Sequence, residues 1–569
     1  MNLNNKNIFG IALTLCLSFA GIQSKAQNQE KKKRFNEQVT IVGEYQPTIV
    51  DADKINVNPK LDEAKKVEVP ESHFTLEAKP LNTSFELQAV KPLDIRFDKR
   101  TQTYNNFIKA GIGNYLNPYI NAFHNGGNQK DFAYGLHFKH YSSNMEIEKI
   151  PESTFGNNLF EARVSKNFDE HTLNAKAYYQ RRGLHYFGVF QKALSNEIVK
   201  LDSIRQVYNY IGANVDFANT PDDEEAFKYK LKASFNHTSD HFDASENNLN
   251  FALDLNKLFF LFDFSDGEKI GIKAENENYF YKREVVGGDN LKGSNLIRIK
   301  PYIQLQYDMF KLYGGVDLSF VSGDKSDFYF YPDLKADIEI LPKQLVVYAG
   351  LKGGVTRNSL RSITLLNPYV SSNPLSTWTS DKIKFYGGVK GNVAESVDYN
   401  LELSYDSFDN FMLFAIDKTS YFESSLTPLY DKVNRFRIEG SLAYHLTDKI
   451  TARGYYQLNS YSAKNFDEAY QSPKSTLGLE VMASPIKKLK LNLSIANRGK
   501  VPFLIYDNPT APTGELDSWT DLGIGAEYDI TETISAFVQG NNLLNHNYYM
   551  WQNYPVQGLN VMVGGSIRF

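Results

Sequence analysis

Few side chains in this sequence combine types and spacings that suit chemistry. His137 and His140, in the stretch HFKHY, are two imidazoles close together on the chain, and paired imidazoles can bind a metal ion. A second candidate is HTSDH at 237–241, which combines histidine and aspartate. A third is Gly111–Gly113, which has the glycine spacing that begins some nucleotide-binding loops. Each candidate depends on the element that carries it.

The predicted elements do not favour any of these chemistries. On a strand, His137 and His140 point to opposite faces and cannot share one ion. The stretch 237–241 lies at a strand end, where ordinary loop contacts are the simpler interpretation. Gly111–Gly113 continues an alternating strand, and no Gly-Lys-Ser/Thr or helix follows it. The ten histidines form no combination with serine or aspartate that suggests catalysis. We therefore predict no enzyme, no metal site and no cofactor.

Residues 1–26 predict an export signal. Lys6 is followed by the apolar run 8–22, and small residues near Ala26 suit a cleavage site. The single cysteine, Cys16, falls inside this run. A lipid anchor on Cys16 is the less favoured alternative, because Leu15 rather than a small residue precedes it. The mature chain would then have neither disulfides nor thiolate sites, and no later apolar run is long enough for a membrane-spanning helix.

Composition narrows the class further. The net charge of −4 lacks the basic bias of nucleic-acid-binding proteins, so we expect no nucleic-acid partner. Aromatic residues make up 14% of the chain, which favours strands. Residues 27–100 contain prolines too often for regular elements. We predict that they form a short extended periplasmic or lumenal segment, and that residues 101–569 form a second domain.

Apolar and polar residues alternate repeatedly from about Thr103 onward, which is the pattern of strands. Clear examples lie at 227–235, 297–307, 397–405, 435–446 and 489–495. A soluble sandwich or solenoid would bury the apolar faces, whereas a membrane barrel would turn them to lipid. Stretches of about ten residues suit a tilted membrane crossing. Charges occupy one face only, and aromatic residues cluster at 279–282, 329–332, 384–388 and 547–551, where membrane-interface girdles are expected.

These features predict an all-β protein, a transmembrane antiparallel β-barrel of about 22 strands. Short turns such as 446–449 and 483–488 alternate with long polar stretches at 142–158, 358–380 and 499–518, as in bacterial outer-membrane proteins. Acidic and basic residues are mixed on the polar faces, so we predict no ion preference. The expected location is the outer membrane of a Gram-negative bacterium, in contact with its lipid.

The last nine residues, VMVGGSIRF, form a strand pattern that ends on an aromatic residue. One face carries Val561, Val563, Gly565, Ile567 and Phe569, and we expect it to face lipid. A terminal aromatic strand of this kind is similar to the sorting signal that the outer-membrane barrel-assembly machinery binds. We predict that these five residues form such a signal.

Residues 541–569 resemble the end of a TonB-dependent receptor. The similarity lies in Asn541–Asn545, the pair Tyr548–Tyr549, the turn from Tyr554 to Gly558 and the closing strand Leu559–Phe569. Residues 37–55 are similar to the receptors' TonB box and plug entry, with the box position occupied by Val39, Thr40, Ile41 and Val42. A TonB box donates an extended strand to its partner. An ordinary extended segment is the alternative interpretation.

The resemblance implies a barrel that contributes to solute uptake across the outer membrane. It departs from the family at the plug, because residues 27–100 are much shorter than a plug domain and lack its strand pattern. Either this segment is a reduced plug, or a partner fills the lumen. The same segment could engage TonB or another outer-membrane protein. The alternative function is a non-transporting barrel that acts as a structural or docking component of a larger assembly. The substrate is not determined by the sequence.

Overall fold

The structure, a computed structural model, describes residues 104–569 apart from 128–130, 149, 189–200, 264, 266, 283–292, 324–325, 373, 394–395, 421–422, 424, 448 and 506–512. The export signal, the segment 27–100 and the TonB-box-like residues Val39–Val42 lie outside the described residues, so those assignments remain predictions.

Within the described residues, 22 strands form one antiparallel sheet. Its first nineteen strands follow one another in the chain: β1 (Asn106–Gly113), β2 (Tyr119–Gly127), β3 (Phe132–Ser143), β4 (Phe155–Phe168), β5 (His171–His185), β6 (Arg205–Asn219), β7 (Lys228–Ser239), β8 (Ser245–Phe259), β9 (Glu268–Lys282), β10 (Ser294–Tyr307), β11 (Phe310–Ser322), β12 (Asp327–Leu341), β13 (Leu345–Arg357), β14 (Trp378–Val393), β15 (Val397–Ile416), β16 (Leu426–Thr447), β17 (Ile450–Ala463), β18 (Ser475–Ile486) and β19 (Leu489–Arg498).

Three further strands complete the sheet: β22 (Trp519–Asp529), β23 (Ile534–Asn541) and β26 (Asn560–Arg568). Two small hairpins lie outside it, β20 (Val501–Leu504) with β21 (Thr513–Leu516), and β24 (Tyr549–Trp551) with β25 (Tyr554–Pro555). The described chain also has two short helices, α1 (Leu201–Ile204) and α2 (Leu360–Leu366). Neither of these helices has the length and apolar character that a transmembrane helix needs.

The sheet closes into a barrel because β1 pairs with both β2 and β26. At this seam Gly111 lies opposite Gly564. A Cβ at Gly564 would lie 2.6 Å from the Gly111 Cα, so the two backbones approach more closely than a side chain would allow. The chain ends of the barrel are joined by Asn106 and Phe569, whose backbone groups exchange hydrogen bonds of 2.9 and 3.0 Å. The predicted 22-strand transmembrane barrel is confirmed.

The outer surface carries the apolar residues of each alternating strand. In the stretches that predicted strands, the exposed residues are Phe227, Leu231, Phe235, Ile297, Ile299, Leu401, Leu403, Phe436, Leu442 and Leu491. Their polar neighbours face the opposite way, because successive side chains alternate across a strand. The surface against lipid is therefore apolar and the lumen wall is polar, which is the reverse of a soluble protein.

The two rims of the barrel differ. β1 begins and β26 ends at the same rim, where connections such as 169–170, 308–309 and 487–488 are short. The opposite rim, called the mouth here, carries the long connections, among them 144–154, 186–204, 358–377, 464–474, 499–518 and 542–559. Each long stretch predicted from the sequence lies at the mouth, so the mouth is where the fold places its non-repetitive residues.

Candidate functional site at the barrel mouth

The connection between β13 and β14, residues 358–377, is called the mouth loop here. It begins with α2, whose N-terminal cap is Ser359, where the side chain accepts a hydrogen bond of 3.1 Å from the Ser362 N–H. The buried face of α2 carries Leu360, Ile363 and Thr364. A short helix with one apolar face needs a surface to pack against. The apolar face of α2 packs against residues inside the mouth of the barrel.

Tyrosines on and next to β6 hold the mouth loop. The Tyr210 hydroxyl lies 3.1 Å from the Thr364 Oγ1. Tyr208 donates to the Pro368 carbonyl at 3.1 Å, and Tyr186 donates to the Val370 carbonyl at 2.7 Å. Burial raises the pKa of the Tyr186 hydroxyl, so this group remains a protonated donor. These three hydroxyls therefore attach the mouth loop to one side of the barrel.

The other side of the mouth loop contacts the hairpin of β15 and β16. Val370 forms a parallel bridge with Leu426, and the Leu426 N–H donates to the Tyr369 carbonyl at 2.9 Å. β15 and β16 are the longest strands, with 20 and 22 residues, and their pairing shifts register after Phe408. Since β6 and β16 stand far apart around the ring, the mouth loop and this hairpin tip meet over the lumen.

Apolar packing joins these parts. The mouth cluster is defined as the buried residues Ile150, Phe187, Ile363, Val370, Phe414, Ile416, Leu426, Trp551 and Tyr554. They come from several different connections at the mouth and from the facing ends of β15 and β16. Tyr369 stacks on Tyr554 with ring centroids 3.6 Å apart, and Phe414 packs edge-on against Trp551 at 5.3 Å. The mouth is thus covered by a small hydrophobic core built from loops.

Below this cover, the lumen wall carries ion pairs of mixed sign. Arg298 lies 2.5 Å from Glu275 and 3.4 Å from Asp317. Elsewhere on the wall, Lys384 pairs with Glu402 at 2.9 Å, Lys390 with Asp337 at 3.0 Å and Arg435 with Asp406 at 3.2 Å. The mixed charges that the sequence contains are therefore arranged as cross-strand pairs. Such a wall is polar without a strong field of one sign.

The chemical candidates from the sequence take structural roles. His137 is hydrogen-bonded to Asn121 at 2.8 Å, whereas His140 is hydrogen-bonded to Asn158 at 2.7 Å. In the stretch 237–241, His237 bonds to an asparagine across the strand pair. Within the described residues, no group of three or more His, Cys, Asp or Glu side chains could hold a metal ion.

Asp240, in the same stretch, organises the connection between β7 and β8. Its Oδ1 accepts hydrogen bonds from the N–H groups of Phe242 at 3.0 Å and Ala244 at 2.9 Å. Burial raises the pKa of the Asp240 carboxyl, although these hydrogen bonds act in the opposite direction. The residue is a buried carboxylate that holds a turn, and it lies close to the tyrosine anchors because Gln206 donates both to it and to Tyr186.

The closing strand has the predicted faces. Val561, Val563, Ile567 and Phe569 are exposed on the outer surface, and Gly565 lies on the same side. Met562 and Ser566 are buried on the inner side. This arrangement leaves the aromatic terminus accessible at the rim. Recognition of these residues by the assembly machinery remains a prediction.

The aromatic residues at strand ends divide into two groups. Phe280 and Phe330 lie near strand ends and are exposed on the outer surface, as expected for residues at a membrane interface. Phe385 is also exposed, but it lies in the middle of β14, so the stretch 384–388 is not a strand end. Tyr548 and Trp551, from the stretch 547–551, are instead buried, so the prediction of an interfacial girdle is wrong there. The reason is that the strand alternation stops at the end of β23, and this stretch folds back into the loops at the mouth.

Solved structures with the same fold are outer-membrane receptors and transporters. The ferric-catecholate import receptor Fiu from E. coli K12 has a TM-score of 0.61 and 10% identity, over 82% of each chain. The iron transporter FrpB from Neisseria meningitidis has 0.61 and 10%, over 83% of this chain and 82% of its own. The pyoverdine outer membrane receptor FpvA from Pseudomonas aeruginosa has 0.61 and 12%, over 83% and 79%.

These likenesses concern the fold, because the identities are low. No protein-family model matches the sequence, and no curated protein sequence does. The predicted resemblance to a TonB-dependent receptor barrel is confirmed at the level of the fold. The absence of enzymatic activity stays a prediction from the sequence.

Proposed function

We propose that this protein is an outer-membrane barrel that takes up a solute, in the manner of a TonB-dependent receptor. The observation that carries the proposal is a loop cover, held by tyrosine hydroxyls and the mouth cluster, above a lumen wall of paired charges. Loops that pack on one another can separate without unfolding the barrel. The solute would enter when the mouth loop detaches, and would then meet a polar wall.

The proposed energy source is TonB, engaged by the N-terminal segment. Val39, Thr40, Ile41 and Val42 would add an extended strand to the sheet edge of their partner. Proline lacks the backbone N–H that such a strand donates, so Ile41→Pro should abolish binding of the TonB C-terminal domain. Val57→Pro, in the same segment but outside the box, is the matched control. Equal binding of the TonB C-terminal domain by both variants and the wild type would refute the proposed engagement of TonB by these four residues.

Conductance tests the mouth directly. The pair Val370→Cys and Leu426→Cys places thiols on two residues that form a parallel bridge, where the backbones are close enough for a disulfide. The chain contains one other cysteine, Cys16, inside the predicted export signal. We expect single-channel openings in planar bilayers only after a reductant is added, measured on a variant that also lacks residues 27–100. Channel openings that occur equally with and without reductant would contradict the proposal that the loops close the mouth.

A second function is favoured by one observation, namely that the cover of the mouth is apolar and well packed. A barrel that never opens could serve as a docking component of a larger outer-membrane assembly. In that case the reduced variant would stay silent, and the barrel would co-purify with other outer-membrane proteins. The same recordings therefore separate the two functions.

A further inference from the structure

A buried cation lies beneath the loops, at the end of β19. Arg498 is only 8% exposed to solvent. Its Nη1 donates to the Met550 carbonyl at 2.7 Å, and its Nη2 donates to the Gln471 carbonyl at 3.3 Å. Among the described residues, Arg498 forms no ion pair with a carboxylate. It differs in this respect from Arg298 and Arg435, which both have carboxylate partners.

The guanidinium and two residues that contact it carry unpaired polar atoms. Among the described residues, the Arg498 Nε, the Trp551 Nε1 and both polar atoms of the Gln471 side chain are buried without a hydrogen-bond partner. Trp551 is 2% exposed and Gln471 is 3% exposed. The Trp551 ring centroid lies 6.0 Å from the Arg498 Cζ. A buried donor without a partner destabilises the folded state, so several such groups on neighbouring residues point to a ligand that binds them.

The backbone at Gln471 supports the same interpretation. Its φ of 59° lies in the left-handed region, which is unfavourable for a residue other than glycine. The Gln471 N–H donates to the Pro502 carbonyl at 2.7 Å, and this bond holds the residue in its strained conformation. Strained backbone residues cluster at ligand sites, and here the strained residue also carries an unpaired buried amide among the described residues.

We propose that Arg498, Gln471 and Trp551 form a binding site for an oxyanion, a carboxylate or phosphate group carried by the solute. The site offers N–H donors from all three side chains and one positive charge, which complement such a group. Binding would supply a counter-ion to the buried guanidinium, which pairs with no carboxylate in the described part of the chain. The site lies against the mouth cluster through Trp551. As it assigns a chemical class to the solute, this proposal rests on the proposed uptake function.

Tryptophan fluorescence reports on the site, because Trp519 and Trp551 are two of the three tryptophans in the chain and both lie at the mouth, Trp519 at the start of β22 and Trp551 at the end of β24. The Trp378→Phe variant removes the third. The full mature protein in detergent would be titrated with sodium acetate and, separately, with sodium phosphate at constant ionic strength. We expect a saturable change in emission with at least one of them. Acetate alone identifies a carboxylate solute, and phosphate alone identifies a phosphorylated one.

Arg498→Gln should weaken the response at least tenfold. Lys500→Gln is the matched control, since it removes the same charge from an exposed residue two positions away that pairs with Glu515 at 3.0 Å. Gln471→Gly keeps the arginine and relieves the left-handed backbone, and should weaken binding by several-fold. Folding of each variant is checked by the heat-dependent shift in electrophoretic mobility.

A folded wild type with no saturable response to either anion would overturn the site, as would equal responses in Arg498→Gln and Lys500→Gln. If Arg498→Gln fails to fold, Gln471→Gly decides, and unchanged binding in that variant overturns the proposal. Binding and conductance are separate measurements. Anion binding by a barrel that never opens would preserve the site and overturn the uptake function, whereas opening without anion binding would do the reverse.

Discussion

The hydroxyls of Tyr186, Tyr208 and Tyr210 offer the sharpest perturbation of the mouth. Changing all three to phenylalanine keeps the rings and their packing but removes the hydrogen bonds to the mouth loop. A neutral hydrogen bond contributes about 1 kcal/mol net, so the triple variant should lose about 3 kcal/mol of attachment. Since about 1.4 kcal/mol corresponds to a tenfold change in an equilibrium constant, the detached population should rise about 100-fold.

Limited proteolysis with trypsin measures that population. Arg361 lies in α2 and stacks between Tyr178 and Tyr210, with its Cζ 5.3 Å from each ring centroid. Cleavage after Arg361 therefore requires the mouth loop to detach. When the loop opens and closes faster than trypsin cuts, the cleavage rate follows the detached population. Mass spectrometry of the fragments would identify this bond among other cleavages.

The matched control for this experiment is Tyr405→Phe, which removes a hydroxyl from the exposed outer surface of β15. It should leave cleavage after Arg361 unchanged. A triple variant cleaved within about twofold of the wild-type rate would refute the view that these hydroxyls hold the loop. The heat-dependent mobility shift would show whether the barrel itself remains folded.

Three further changes test other parts of the molecule. Arg298→Met removes the cation nearest to Glu275, whereas Asp317 keeps Lys300 at 3.0 Å, so we expect a loss of about 1–3 kcal/mol and a lower temperature for the mobility shift. Asp240 has a raised pKa through burial, so its contribution to stability is complete below about pH 4 and is lost as the pH rises through the raised value. Asp240→Asn should flatten the pH dependence of the unfolding temperature. Phe569→Ala should reduce assembly into the outer membrane, with little effect on thermal stability, because the backbone bonds to Asn106 remain.

Each of these changes has a control of the same kind. Lys500→Gln removes a charge from an exposed pair and should leave the mobility shift nearly unchanged. Asp223→Asn alters an exposed carboxylate in another connection and should not affect the pH dependence. Ile530→Ala truncates an exposed apolar residue at the same rim as the terminus and should not reduce assembly. A variant that behaves like its control would contradict the corresponding prediction.

The barrel could be predicted from the sequence because the pattern that specifies each strand lies within a few neighbouring residues. Lipid on one side and water on the other impose a period of two on each strand, and residues such as Leu401 and Leu403 show it within a few positions. The alternation of short turns with long connections is equally visible along the chain. The lumen and lipid faces followed from the same pattern. No distant contact was needed for any of these predictions.

The arrangement of the mouth could not be predicted because it depends on contacts between residues far apart in the chain. Tyr208 and Pro368 are separated by 160 positions in the chain, and nothing near 358–377 indicates that this stretch folds onto β6. The error at Tyr548 and Trp551 has the same origin, since aromatic residues suit a lipid interface and a loop core equally well. Arg498 is ordinary as a strand-end residue. That Arg498 pairs with no carboxylate of the described residues is visible only once the neighbouring elements are in place.

The seam between β1 and β26 has a consequence for the order of assembly. Every other pair of neighbouring strands in the barrel joins two barrel strands that are successive in the chain. At the seam, by contrast, Asn106 and Phe569 are 463 positions apart. Closing a loop of that length first would cost about 5 kcal/mol of chain entropy. Hairpins between successive strands avoid this cost, so β1 and β26 should pair last. Until then the growing sheet has two unpaired edges, each of which could pair with the edge of another incomplete barrel.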